Sequence, residues 1–176
     1  MTQPVLCALS GWSGSGKTTL ACAIVRYLER RHRMRVGVIK HDGHRFPVDV
    51  SGTDTCRLAE AGAVRTVLCG EDGLVVRETA PPSCVTALIE RFGADLDVLL
   101  LEGFKNADVD KIEVYRSSLG KAPLFTHPDR YPRVVAVATD TPLADDAAPQ
   151  QLDLNCPEQI AEFILKRNDT ALKVSA

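Results

Sequence analysis

Eight residues near the amino terminus combine the residue types that bind phosphate. They read Gly11-Trp12-Ser13-Gly14-Ser15-Gly16-Lys17-Thr18 and fit the pattern G-x-x-x-x-G-K-[S/T]. The three glycines let the backbone curl so that consecutive N–H groups converge on an anion. In such loops the lysine meets the β- and γ-phosphates of a nucleotide, and the threonine hydroxyl is a ligand of Mg²⁺. The stretch, called the phosphate loop below, predicts a triphosphate site that continues into Thr19.

This loop needs a strand before it and a helix after it. Residues 5–9 form a short apolar run that predicts a buried strand, and residues 19–31 carry Leu20, Ile24 and Leu28 at helical spacing. The positive end of that helix faces the same anion. A flexible glycine- and serine-rich linker is the alternative. Such linkers rarely carry Lys-Thr at this spacing between a strand and a helix.

A second strand is predicted over residues 35–39, ending at Lys40, and a polar segment follows through residue 54. The order strand, helix, strand predicts a right-handed βαβ unit with parallel strands, whose carboxyl ends form the edge where ligands bind. A polar connection of this length beside a phosphate site is a candidate switch segment. His41 and His44 lie in it and are candidate substrate or phosphate contacts, with solvated loop positions as the alternative.

Residues 97–103, Asp-Val-Leu-Leu-Leu-Glu-Gly, indicate a central strand buried on both faces. Its carboxyl end carries Glu102 at the ligand edge, which is the arrangement of a Walker B carboxylate. Asp97 stands five residues earlier, roughly 16 Å away in an extended strand. One ion cannot contact both acids, so Glu102 is the predicted functional acid and Asp97 a solvated strand start.

The rest of the chain predicts the fold class. Further elements are expected as a short helix capped by Asp54 and ended by Gly62, a hairpin of residues 65–69 and 74–77, a helix containing Val85 and Phe92, strands 111–115 and 134–138, and a helix over 157–166. The sum is an α/β, P-loop NTPase-like three-layer fold with a mostly parallel central sheet flanked by helices, plus a β-hairpin region. We expect one domain over residues 1–168 and a flexible tail over 169–176.

Composition narrows the class of protein. The chain has 176 residues, 45% of them hydrophobic and 25% charged, with a net charge of −2. These values suit a soluble globular protein and give no sign of nucleic-acid or membrane binding. Six cysteines lack metal-like spacing, and several are expected to be small core residues. Without a signal peptide or a long apolar run, we expect a cytoplasmic protein.

Five pieces of the chain, in this order and spacing, resemble the family of molybdopterin-guanine dinucleotide biosynthesis protein B (MobB). The pieces are the phosphate loop, Val38-Ile39-Lys40-His41 with His44, Asp49-Val50-Ser51-Gly52-Thr53-Asp54-Thr55, Ala61-Gly62-Ala63, and Leu101-Glu102-Gly103-Phe104-Lys105. The resemblance implies a homodimer that binds GTP with Mg²⁺ and hydrolyses it weakly. It also implies an adaptor role beside the molybdenum cofactor guanylyltransferase and molybdopterin-handling enzymes.

The resemblance further implies roles for individual residues. Lys17, Thr18 and Glu102 match the nucleotide and metal positions of the family. The implied assignments are catalysis for Glu102 and Lys17, metal binding for Thr18, Glu102 and Asp49, and cofactor or switch contacts for Lys40, His41, His44, Asp54 and Lys105.

Three departures from the pattern bear on these roles. Trp12 stands where the wider superclass often has a second lysine, and Thr53 stands where the family has one. An Asn-Lys-x-Asp guanine motif is also missing from the sequence. Asp140, which follows strand 134–138, is a candidate acceptor for guanine N1 and N2, with a turn-forming role as the alternative.

Two other functions fit a phosphate loop. A small-molecule kinase or ATP-dependent synthetase needs a lid with clustered arginines, and the arginines beyond the first helix are scattered. A regulatory NTPase would act only through a partner complex. We also expect slow hydrolysis, well below about one turnover per second, because no arginine is obviously placed to act in cis.

Overall fold

The computed structural model describes residues 3–43, 50–80, 82 and 84–174, with residues 168–174 described by their backbone alone. His44 and Asp49 therefore lie outside the described residues. The elements are β1 (Val5–Ser10), α1 (Lys17–His32), β2 (Val36–Lys40), α2 (Asp54–Glu60), β3 (Arg65–Gly70), β4 (Gly73–Glu78), α3 (Val85–Gly93), β5 (Val98–Glu102), β6 (Lys111–Tyr115), β7 (Val134–Thr139), β8 (Gln150–Asp153) and α4 (Pro157–Val174).

The chain divides into two compact units. The sheet unit comprises Met1–His41 with Leu88–Ala176, and the hairpin unit comprises Asp42–Ala87. The single domain predicted for residues 1–168 stays a prediction. Within the described ranges, no helix is long and apolar enough to cross a membrane.

Six strands of the sheet unit form one sheet in the order β2-β5-β1-β6-β7-β8. Its five described strand pairs are parallel, which confirms the predicted central sheet. The apolar run Val98–Glu102 occupies an interior position between β2 and β1 and is buried throughout, as its lack of polar alternation predicts. Register pairs Lys40 and Leu9 with Glu102, so the carboxyl ends of these three strands lie side by side.

Helices cover both faces of this sheet. α1 and α4 lie on one face, where the main apolar core contains Ile24, Leu28, Ile160, Ile164, Leu100 and Ile112. On the opposite face, the end of α3 lies against Leu99. Alternation along β6 points Glu113 to that face, where it accepts hydrogen bonds from Leu124 N and Phe125 N in the β6–β7 connection. The three-layer arrangement predicted from the sequence is thus confirmed.

The hairpin unit contains α2 and an antiparallel pair. β3 and β4 form the predicted hairpin and pair from Arg65↔Glu78 to Gly70↔Gly73. The turn has two residues, fewer than the four expected, because Gly70 and Gly73 belong to the strands. The N-cap of α2 was predicted wrongly. Thr53 caps the helix, because its hydroxyl accepts from Cys56 N at 3.4 Å, whereas Asp54 is the first helical residue.

Other expectations need correction. α4 continues to Val174, beyond the predicted end at Lys166, and the flexibility of residues 169–176 stays a prediction. β8 was not predicted, because Gln-Gln-Leu-Asp has a single apolar residue and shows no usable period. The expectation of several core cysteines was wrong as well. Cys7 alone among the six described thiols is buried, and burial raises its pKa to about 12.

Candidate functional site

The phosphate loop leaves β1 and enters α1 through backbone conformations that glycine permits. Gly11 has φ +154°, and a Cβ there would lie 2.4 Å from the carbonyl oxygen of Val114. Gly16 has φ +97° and is the N-cap of α1. The free N–H groups of the first helical turn therefore begin at Lys17, within the loop itself, which creates an anion-attracting end.

The side chain of Lys17 folds back onto the start of the phosphate loop. Its Nζ donates to the carbonyl oxygen of Trp12 at 2.8 Å. Partial burial lowers the pKa of Lys17, the nearby charge of Glu102 opposes that shift, and the charges of Lys40 and Lys105 add to it. One carboxylate and three ammonium groups thus interact electrostatically at this edge of the sheet.

Glu102 is the anionic centre of the site. Its Oε1 accepts from the Thr18 hydroxyl at 2.6 Å and lies 3.2 Å from Lys40 Nζ, and its side chain is 7% exposed. The backbone behind it is tightly packed, because a Cβ at Gly103 would lie 2.8 Å from His41 O. Glu102 therefore links the end of β5 to the start of α1.

Asp97 lies at the other end of β5, as strand geometry predicts. Its carboxylate is exposed and accepts from Arg35 N at 2.7 Å. It has no contact with the phosphate loop in the described structure, so the two acids of this strand are separated as expected.

Trp12 fastens the loop to the connection between β6 and β7. Its Nε1 donates to Ala122 O at 2.8 Å, and its ring meets Tyr131 edge-on with centroids 6.2 Å apart. Lys105 Nζ lies 4.6 Å from the centre of the Trp12 ring, a cation–π distance. A lysine from elsewhere in the chain thus stands beside the position where the superclass often carries a second loop lysine.

The remaining loop positions have mixed surroundings. Ser15 is buried, and its hydroxyl has no hydrogen-bond partner among the described residues. Ser13, Gly14, Thr18 and Thr19 are exposed and accessible to a ligand. An orphaned hydroxyl within a glycine-rich turn is a donor that a bound anion can satisfy.

The predicted switch residues His41 and Asp54 belong to different units of the chain. His41 is exposed, its ring centre is 5.2 Å from that of Phe104, and its N–H donates to Glu102 O. Asp54 belongs to the hairpin unit, where it pairs with Arg57 at 3.7 Å. The predictions for His44 and Asp49 fall outside the described residues.

Arg116 is a site residue that the sequence analysis missed. Its Nε donates to the carbonyl oxygen of Ser15 at 3.2 Å, and its guanidinium forms an ion pair with Asp140. The available signal was its position directly after strand β6 at the ligand edge. It was not recognised because its proximity to the loop depends on β6 being the neighbour of β1 in the sheet.

The sheet order, the flanking helices and the glycine-rich loop between β1 and α1 define a P-loop NTPase-like α/β protein. Within that class, the chain belongs to the MobB family: residues 6–140 match the model of molybdopterin guanine dinucleotide synthesis protein B. The resemblance inferred from the sequence is thereby confirmed.

Individual relatives agree with this membership. The chain is 40% identical to the molybdopterin-guanine dinucleotide biosynthesis adapter protein of Haemophilus influenzae, over 92% of this chain and 88% of that protein. Identity to the adapter protein of the same description from Escherichia coli K12 is 36%, over 94% of both chains. A solved structure of molybdopterin-guanine biosynthesis protein B superposes with a TM-score of 0.69 at 27% identity, covering 92% of this chain and 97% of that one.

Proposed function

We propose that this chain is a GTP-binding adaptor with weak GTPase activity in molybdopterin guanine dinucleotide biosynthesis, acting beside the molybdenum cofactor guanylyltransferase and molybdopterin-handling enzymes. The observation that carries the proposal is the family match over residues 6–140, which includes the phosphate loop, Glu102 and Asp140. Two relatives of at least 36% identity are described as adapter proteins of this biosynthesis.

The phosphate loop, residues 11–18 with Thr19, is proposed to bind the triphosphate. The helix end supplies free N–H groups, and Lys17 supplies a mobile positive charge whose present partner is only a carbonyl oxygen. When phosphate binds, Lys17 Nζ can exchange this neutral carbonyl acceptor for an anionic phosphate oxygen, and the hydrogen bond becomes stronger. The unsatisfied Ser15 hydroxyl favours a ligand in the same turn.

Thr18 and Glu102 fit Mg²⁺. A hydroxyl oxygen and a buried carboxylate are hard oxygen donors of the kind this ion prefers, and they are already 2.6 Å apart. When bound, the ion supplies positive charge that neutralises the β- and γ-phosphate oxygens. Lys40, 3.2 Å from Glu102, is proposed to respond to that added charge by changing partner. Asp49 remains a proposed metal ligand on the basis of the family resemblance.

Hydrolysis is proposed to be slow and to depend on Glu102 and Lys17. Glu102 can orient a water, and Lys17 can stabilise charge on the γ-phosphate. Arg116 is engaged by Ser15 O and Asp140, which is consistent with a slow intrinsic rate because a transition-state arginine must reach the phosphate. Lys40, His41, His44, Asp54 and Lys105 are proposed cofactor or switch contacts.

The proposal extends to assembly and location. A homodimer is supported by the hairpin unit, whose Val67, Leu68, Leu74 and Val75 are each more than half exposed. We also propose a cytoplasmic protein that binds neither nucleic acid nor membrane, in keeping with a net charge of −2 and six free cysteines.

The metal assignment is tested by exchanging Glu102→Gln, with Asp97→Asn as the matched control at the other end of β5. We expect Glu102→Gln to retain nucleotide binding, to weaken its Mg²⁺ dependence and to cut hydrolysis roughly 10²-fold or more, because the ionised carboxylate is lost. Asp97→Asn should leave both quantities near the parent values. A Mg²⁺ titration of GTP affinity and turnover measures this. If Asp97→Asn loses turnover while Glu102→Gln behaves like the parent, the assignment of Glu102 as the functional acid is wrong.

The adaptor role is tested separately. We expect the chain to form a complex with its cognate guanylyltransferase in size-exclusion chromatography with light scattering, and to bind molybdopterin in the presence of that enzyme. The alternative is a small-molecule kinase or synthetase. Phosphoryl transfer from ATP to an added acceptor, at a rate far above basal hydrolysis and without any partner, supports that alternative and contradicts the adaptor assignment.

A further inference from the structure

Two neighbouring strands beside the phosphate loop are each followed directly by a charged residue, and the two charges are opposite. Tyr115 of β6 pairs in register with Thr139 of β7, and the next residues are Arg116 and Asp140. The turn after Asp140 is fixed, since Thr139 Oγ1 donates to Thr141 O at 2.8 Å and Thr139 O accepts from Leu154 N. The position of the Asp140 backbone is thus set by the sheet and by its own turn.

Arg116 connects this strand end to the phosphate loop. The guanidinium donates through Nε to Ser15 O at 3.2 Å and through Nη1 to Asp140 Oδ2. Its Nε and Nη2 atoms also lie 3.8 Å from the position that a Cβ on Gly16 would take. One rigid planar group therefore contacts the loop that would hold phosphate and the carboxylate at the neighbouring strand end.

The pair remains open to a ligand. The Arg116 side chain is 36% exposed and that of Asp140 is 25% exposed. A carboxylate offers about four lone-pair positions, so the bond from Arg116 leaves acceptor capacity on Asp140. Such an accessible and oriented carboxylate, close to a triphosphate site, is suited to accept two hydrogen bonds from a ligand edge that presents two adjacent N–H donors.

Among nucleobases, guanine presents such an edge through N1–H and the 2-amino group. Adenine presents a ring acceptor beside its amino group, and a carboxylate there meets a lone pair. Xanthine carries a carbonyl in place of the 2-amino group, so its edge pairs one donor with one acceptor. A carboxamide has that complementary pattern, whereas a carboxylate does not.

We propose that Arg116 is a positioning residue that joins base recognition to phosphate binding: it holds Asp140 as the acceptor for a guanine edge and ties that acceptor to Ser15 of the phosphate loop. The proposal rests on the nucleotide site proposed above. Lysine cannot replace Arg116, because a single ammonium nitrogen does not reproduce the planar fork that spans the carbonyl and the carboxylate.

The test compares affinities for GTP, ATP, xanthosine triphosphate and inorganic tripolyphosphate, each with Mg²⁺, by isothermal titration calorimetry. Arg116→Met and Arg116→Lys should each lower the GTP-over-ATP ratio about 10-fold, while tripolyphosphate affinity changes less than about 3-fold. Asp140→Asn should lower GTP affinity by a similar or larger factor and raise xanthosine triphosphate above GTP. In Arg116→Met/Asp140→Asn, the losses in GTP affinity should be clearly less than additive.

Arg35→Met is the matched control, because Arg35 forms an ion pair with Asp95 at the opposite edge of the same unit. It should leave all four affinities unchanged. If Arg116→Met weakens every ligand equally, Arg116 merely supports the loop, and the proposal is wrong. It is also wrong if the GTP-over-ATP ratio stays at the parent value, or if Asp140→Asn shows no gain for xanthosine triphosphate.

The same measurements separate this inference from the function on which it rests. If the parent protein binds tripolyphosphate and all three nucleotides equally, the phosphate site stands and base recognition by Asp140 is wrong. Parent protein that binds none of the four ligands overturns the proposed nucleotide site, and the role of Arg116 falls with it.

Discussion

At the scale of the residue, the charge state of Lys17 governs the candidate site. Its ammonium is partly buried, its hydrogen-bond acceptor is an uncharged carbonyl, and Lys40 and Lys105 add positive charge nearby. These conditions lower its pKa from the ordinary value of 10.5, mainly through loss of solvation. Bound phosphate reverses the balance because it supplies a negative partner, so binding and protonation of Lys17 are linked.

This linkage predicts proton uptake on binding. The free protein loses the Lys17 proton as pH rises towards its lowered pKa, and the bound protein retains it to higher pH. GTP affinity should therefore fall, and proton uptake should grow, as pH rises towards 10.5, the ordinary pKa of a lysine. Calorimetry in buffers of different ionisation enthalpy measures the uptake. Lys17→Arg keeps its charge over this range and should show much less uptake; equal uptake in both proteins contradicts the link to Lys17.

The site residues that could be predicted from the sequence are those that a local motif or the pattern of a single strand identifies. The glycines, Thr18 and Glu102 follow from a loop motif and from the period of one strand, and the structure brings them together. Arg116 was not predictable in this way, because its neighbour Ser15 lies 101 residues earlier in the chain. The stacking of Lys105 on Trp12 likewise depends on how two separate loops pack.

At the scale of the element, the β6–β7 connection illustrates what sequence patterns leave out. Its three prolines and many polar residues are typical of a surface loop, yet Leu124 and Tyr131 within it are almost fully buried. Glu113 of β6 fastens it by accepting from two consecutive N–H groups. The sequence of β6 alone does not predict what Glu113 contacts or that it is buried. Both depend on a loop that folds back over the sheet.

Glu113 should make stability depend on pH. Burial raises its pKa above the ordinary value of 4.5, and the two backbone donors only partly oppose the shift. The native state therefore binds more protons than the unfolded state above about pH 4.5, so this contribution to stability is present below that pH and is lost as pH rises through the native pKa.

Glu113→Gln removes this titration. The free energy of unfolding of the parent, relative to Glu113→Gln, should decline as pH rises from about 4.5 and level off above the native pKa. Urea denaturation across this range gives the difference. A parent protein that gains stability over Glu113→Gln as pH rises contradicts the sign.

At the scale of the whole molecule, most of the large hydrophobic side chains that are exposed in the described structure belong to the hairpin unit. β3 and β4 carry Val67, Leu68, Leu74 and Val75 with exposures of 55–64%. Isolated two-stranded hairpins are marginally stable in water, so an apolar hairpin of this kind gains stability from a covering surface. The proposed homodimer offers one.

Leu68 and Val75 are directly opposite each other in the hairpin register. Introducing charge with Val75→Glu should weaken self-association at least about 10-fold, because burying an unpaired carboxylate is costly. Glu71→Lys, in the exposed turn, is the control and should leave association unchanged. Sedimentation equilibrium measures both. If both variants match a dimeric parent, the hairpin is not the dimer interface; if the parent is a monomer, the proposed homodimer is wrong.

The proposed function requires that residues 11–18 bind a guanine nucleoside triphosphate, a claim that removal of Lys17 tests. Calorimetry with GTP, ATP and GDP in the presence of Mg²⁺ compares the parent protein with Lys17→Ala. We expect the parent to prefer GTP and a folded Lys17→Ala to lose roughly 10²-fold or more in GTP affinity, because the one mobile cation of the loop is removed. A folded Lys17→Ala that binds GTP as tightly as the parent would contradict the claim.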